Sequence, residues 1–227
     1  MSNFAQMILL ELQPRIVESK DWATIVFVLA LALIVLAKSS FENRFNDFVR
    51  LLISDKYLKI YRDSSHLMSG FTILLFVVNL ISLSFFIQLI MDHYDYGSKT
   101  DWTLFIRIFT LLTVFILSKF LVEKIIATTF GIEELIEAFN LQKVNYRTYV
   151  GLLLLLVSII LFYSSYSTNS LILTIIAIVL IINLLGYFIS LRIYQNLVIG
   201  KLFYFILYLC TLEIAPYYFI YYLIKKN

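Results

Sequence analysis

Apolar residues in this chain do not alternate with polar ones; they run in long blocks separated by charged stretches. Six blocks, residues 22–37, 67–91, 102–118, 149–166, 171–191 and 202–224, approach or reach the ~20 residues that a helix needs to cross a hydrocarbon layer ~30 Å thick. The first is the shortest, and Lys38 extends it by reaching outward along its own stem. Residues 152–162 are apolar at every position except Ser158, which is incompatible with the alternating strands of a transmembrane barrel. The pattern predicts an all-α integral membrane helical bundle: one polytopic domain over residues 1–227, with about six spans plus cytoplasmic amphipathic helices.

Two connecting segments carry helical periodicity of their own. Phe41, Phe45, Phe48 and Leu52 recur at helical spacing with Arg44, Asp47 and Arg50 off the stripe, so residues 38–66 are expected to lie along the headgroups with the phenylalanines inserted, or to cap the bundle. In residues 130–141, Ile132, Leu135, Ile136 and Phe139 share one side and Glu133, Glu134 and Glu137 the other. Anionic lipid repels that acidic face, so a protein contact or a cytoplasmic projection is expected there. These two segments are the candidate contacts for a protein partner; membrane lipids are the other partner implied.

Charge distribution orients the chain. The loops after the first, third and fifth spans hold twelve Lys and Arg against five on the opposite side, which predicts cytoplasmic loops and both termini in the periplasm of a bacterial inner membrane. Residues 1–21 carry Glu11, Arg15 and Glu18 where a signal peptide would have an uncharged core, so the first span is expected to direct insertion.

Composition narrows the classes. Charged residues make up 15% of the chain, against about a quarter in soluble domains, and the net charge of +3 comes from basic residues interleaved with acids, which offers no nucleic-acid footprint. The single cysteine, Cys210, cannot close an intrachain disulfide. No phosphate loop, metal-binding H-E-x-x-H helix, nucleophile elbow or dinucleotide glycine pattern occurs, so no catalytic residue, cofactor or metal is assigned.

Two charges interrupt the six blocks, Arg107 in the third and Glu213 in the sixth. Intramembrane charge is costly and is expected to face protein or water. Glu213 lies 12 residues from both Lys201 and Lys225, near the midplane, and Arg107 could bridge to it or snorkel outward. Pro216 cannot donate to the carbonyl of Leu212, so the helix is expected to kink beside the carboxylate. Asn79, Gln88 and Asn183 are uncharged polar residues suited to interhelical hydrogen bonds, and a polar path shared with Glu213 is the functional alternative for them. His66 reads as interfacial, and His93 beside Asp92 and Asp95 lacks the second imidazole of a zinc site. Tyr217, Tyr218, Tyr221 and Tyr222 fit an aromatic belt.

The C-terminal block, Leu207-Tyr208-Leu209-Cys210-Thr211-Leu212-Glu213-Ile214-Ala215-Pro216, and the Lys20-Asp21-Trp22 start of the first span resemble an uncharacterised family of Bacteroidota membrane proteins over nearly the full chain. The resemblance implies a polytopic inner-membrane protein with no established activity to transfer. The expected function is a non-enzymatic structural or assembly subunit of an envelope complex. A small secondary transporter coupled to a proton or ion at Glu213 is the alternative, and a lipid-modifying enzyme comes third.

Overall fold

The computed structural model describes residues 20–49, 69–164 and 169–193, with Tyr218 and Tyr222 beyond them. Six α-helices occupy these residues: α1 (Asp21–Ser40), α2 (Glu42–Val49), α3 (Gly70–His93), α4 (Trp102–Thr129), α5 (Glu133–Tyr163) and α6 (Asn169–Ile193). All but α2 contain a stretch long and apolar enough to cross a membrane, and the chain is a helical membrane bundle. Apart from Tyr218 and Tyr222, the sixth predicted block, with Glu213 and Pro216, lies outside the described residues, as does His66.

Helix α3 is the axis. About 61% of its apolar window is buried inside the chain against 6% for α4, so α3 is surrounded by protein while α4 turns most of its side chains outward. α1, α4 and α5 pack on α3, and α6 packs on α5. At one end, Trp22 stacks on Phe85 and meets Trp102, Phe105 and Phe162, so aromatic rings from all four helices close the core. The loop joining α3 to α4 is tied down there: the Gln88 amide donates to the carbonyls of Ser98 (3.2 Å) and Asp101 (2.8 Å), and the Trp22 indole donates to the Thr100 carbonyl (2.9 Å). Asp101 then caps α4 by accepting from the Thr103 amide at 2.8 Å.

The opposite end carries α2. Phe45 and Phe48 of α2, with Phe41 just before it, close on Phe71, and Phe48 also meets Tyr149, so the described part of the stripe caps the protein's own bundle, while Leu52 lies outside the described residues. Arg44, expected off the stripe, is buried, with its guanidinium donating to the hydroxyls of Ser69 (2.6 Å) and Thr72 (3.1 Å) and lying 4.8 Å from the Phe71 ring centre. The reason is local: Ser69 is the N-cap of α3, so hydroxyls and an aromatic face converge where α2 crosses.

The acidic amphipathic segment is not a separate helix. Residues 133–163 form one helix of 31 residues, ~46 Å at helical rise, which carries the segment straight into the fourth span. A tight turn joins it to α4: Gly131 takes φ +62°, its amide donates to the Thr128 carbonyl, and the Ile132 amide donates to Ala127, closing a Schellman motif. Ile132, Ile136 and Phe139 are buried, and Glu133 is exposed.

α3 and α5 meet at Gly151, where a Cβ would overlap the Asn79 carboxamide. Gly151→Val is therefore expected to lower the thermal stability of the detergent-solubilised protein by about 1–3 kcal/mol. An unchanged melting profile would contradict that contact. The Cβ-tolerant Gly70→Ala is the control, since the nearest atom to a Cβ there is 3.5 Å away.

Candidate functional site

The residues singled out by sequence do not form one site among the described residues. Asn79 is 1% exposed in the α3–α5 seam, and neither its amide nitrogen nor its oxygen has a hydrogen-bond partner. Asn183 is exposed on α6, where its amide donates back to the Val179 carbonyl at 2.8 Å. No hydrogen bond joins the two. Arg107 is exposed five residues after Trp102, ~8 Å along α4, within reach of the boundary for a long cationic side chain. Its pairing with Glu213 falls outside the described residues.

A row of polar side chains lines the seam beside Asn79. Ser82, Asn145, Thr148 and Ser158 are each buried, and on α5 the positions 148, 151 and 158 fall on one helix face. Such groups stay inside because hydrocarbon offers them nothing to bond.

The charged constellation stands at the α2 end, between α4 and α5. Glu123 is 3% exposed, and one carboxylate oxygen accepts from the ammonium of Lys143 at 3.4 Å and lies 3.9 Å from that of Lys119. Lys119 and Glu123 are one helical turn apart on α4, and the three-residue turn after α4 returns the chain so that Lys143 faces them from α5. Glu123 lies 21 residues after Trp102 and Lys143 lies 20 before Tyr163, so both are ~30 Å from the opposite end, at the edge of a hydrocarbon layer. Charge is tolerable there because water and headgroups are within reach.

Two cavities open beside this ion pair. One, about 380 Å³, lies among α3, α4 and α5 and is lined by the apolar Ile73, Phe76 and Phe120 as well as by Lys119, Glu123, Asn140, Lys143 and Arg147. The other, about 560 Å³, lies among α3, α4, α5 and α6 and reaches Leu83 and Asn183. Ile116, Lys143 and Arg147 line both. The lining residues of the first contain no imidazole or thiol. Among the described residues no three His, Cys, Asp or Glu gather as a metal site; His93 instead lies 3.4 Å from the Asn169 amide oxygen.

Lys119, Glu123, Asn140, Lys143 and Arg147 lie beyond the apolar blocks 102–118 and 149–166, so hydropathy places them in a charged loop and does not bring them together as a site. Their spacing held the signal: 119 and 123 at i, i+4, and 140, 143 and 147 at i, i+3, i+7, each set on one helix face.

The model of the family described as Domain of unknown function (DUF4271) matches residues 23–224. No curated protein matches the chain, and no solved structure does.

Glu123→Gln leaves Lys119 and Lys143 facing each other without a carboxylate and is expected to cost on the order of 3 kcal/mol. The triple change Lys119→Met, Glu123→Met, Lys143→Met should recover most of that loss in a detergent melt. Equal stability of Glu123→Gln and the parent protein would remove the ion pair from the account.

Proposed function

Because this chain belongs to the DUF4271 family, whose function is not known, its role has to be inferred from its architecture, and we propose that it is a non-enzymatic structural or assembly subunit of an envelope complex in a bacterial inner membrane. The observation that carries this reading is the division of labour among the helices. α3 and α5 bury their polar seam, while α4 and α6 present long apolar faces, with Leu111 69% and Phe188 65% exposed. Such faces suit lateral contact with other membrane helices. Residues 38–49, the described part of segment 38–66, and segment 130–141 offer further surface for a partner at the α2 end, where Glu133 projects. The excess of Lys and Arg on that side supports a cytoplasmic placement with both termini periplasmic, and the likeness of the Glu213 and Pro216 span to Bacteroidota proteins supports the bacterial membrane.

A second reading, a proton- or ion-coupled transporter centred on Glu213, draws support from the larger cavity, which runs from Lys143 to Asn183.

In the subunit reading, the protein extracted in a mild detergent carries a second membrane polypeptide at fixed stoichiometry. Leu111→Trp with Leu121→Trp, on the outward side of α4, is expected to release it without lowering the melting temperature of this chain. A monodisperse single-chain particle whose Glu213 is protected from carbodiimide by an ion would favour the transporter instead. In a Cys210→Ser background, Lys124→Cys should label only from the cytoplasmic side and Tyr96→Cys from the periplasmic side of spheroplasts; the reverse pattern would invert the assigned orientation.

A further inference from the structure

Arg147 is the one cation of the charged cleft whose guanidinium meets no acceptor among the described residues. Glu123 is engaged by Lys119 and Lys143, and no hydrogen bond or ion pair reaches Arg147. It is half-buried and borders both cavities. Its Cα lies 16 residues before Tyr163, ~24 Å along α5, so it stands ~6 Å inside the hydrocarbon edge. Side chains on a helix lean toward its N-terminus, which carries the guanidinium of Arg147 toward that edge, the level of a phospholipid phosphate.

An arginine is always charged, and its fork of donors matches the oxygens of a phosphate. The surrounding charges point the same way: three cations line the first cavity with one carboxylate, an excess of two positive charges. The second cavity supplies the rest of an amphiphile's shape. It meets the first at Arg147 and extends past Val150 to Leu83, ten residues before His93 and so ~15 Å from the far end of α3, near mid-bundle. A polar head at Arg147 therefore has an apolar channel of matching depth behind it.

We propose that the cleft between α4 and α5 is a binding site for an anionic phospholipid of the adjoining leaflet, with the phosphate on Arg147 and Lys143 and an acyl chain in the cavity that runs toward Leu83. Basic pockets between membrane helices bind anionic headgroups by this combination of charge and apolar wall. The site does not depend on which leaflet the α2 end occupies, nor on whether the chain is a subunit or a transporter.

The test uses the full-length protein in detergent, with phosphatidylglycerol or phosphatidylcholine added, retained lipid read by native mass spectrometry and stability read by a thermal melt. The parent protein is expected to retain phosphatidylglycerol at least tenfold better than phosphatidylcholine and to melt higher with it. Arg147→Gln should abolish that preference, Arg147→Lys should keep part of it, and Lys124→Gln, an equal loss of charge on the outward side of α4, should leave it intact. Leu117→Trp, which keeps every charge and narrows the first cavity, should weaken retention and keeps the question open to test if Arg147→Gln does not fold. Equal retention of the two lipids by the parent, or undiminished preference in folded Arg147→Gln, overturns the proposal. So does stabilisation by inorganic phosphate alone equal to that by phosphatidylglycerol, which would make the cleft a soluble-anion site.

Discussion

A hydrocarbon solvent supplies no hydrogen bonds, so each polar side chain carried into it has to be met by protein or brought to the edge. The helices of this bundle are arranged around that demand. α3 and α5 hold Asn79, Ser82 and Ser158 buried, and the absence of a side chain at Gly151 leaves room for the Asn79 carboxamide against the α5 backbone. Within the described part of the α3–α5 seam some amide and hydroxyl atoms find no partner, so the seam excludes lipid more completely than it satisfies its own polar groups. Neutral amides and hydroxyls can bear this; ionised groups cannot, and the seam holds none.

Ionised groups are placed by helix length instead. α4 and α5 overrun the hydrocarbon by roughly two turns or more, and a three-residue turn joins them, so Glu123, Lys119 and Lys143 meet at the boundary rather than in the interior. Arg44 follows the same logic beside the Ser69 cap of α3. Both ends of the bundle are therefore polar fastenings, one made by Gln88 and Trp22 on loop carbonyls and the other by arginine and lysine. At the charged cleft Arg147 adds a cation that meets no acceptor among the described residues.

Much of this was legible in the chain. Blocks of apolar residues identify α1, α3, α4, α5 and α6, since hydropathy depends on local composition alone. The phenylalanine stripe of α2 was equally legible as a helix face, but not its destination; lipid and protein interior are both apolar, and only the crossing with Phe71 and Tyr149 distinguishes them. Asn79 stands out as polar in a span, yet its neighbour Gly151 is 72 residues away, and pairing of helices is not a local property. Helices α4 and α5 run on past the apolar blocks 102–118 and 149–166, because a helix continues through the boundary wherever its charges can pair. Glu213, one half of the predicted intramembrane pair, lies outside the described residues.

Cross-linking across the seam tests the arrangement most directly. An ideal Cβ at position 151 lies 3.1 Å from the Cβ of Asn79, so a separation of a few tenths of an ångström brings the pair into the ~3.5–4.5 Å range of a disulfide. In membranes carrying a Cys210→Ser background, Asn79→Cys with Gly151→Cys should form a disulfide under a membrane-permeant oxidant and resist soluble maleimide before oxidation. Failure to cross-link in folded protein, or rapid maleimide labelling at position 79, would contradict a sealed α3–α5 interface.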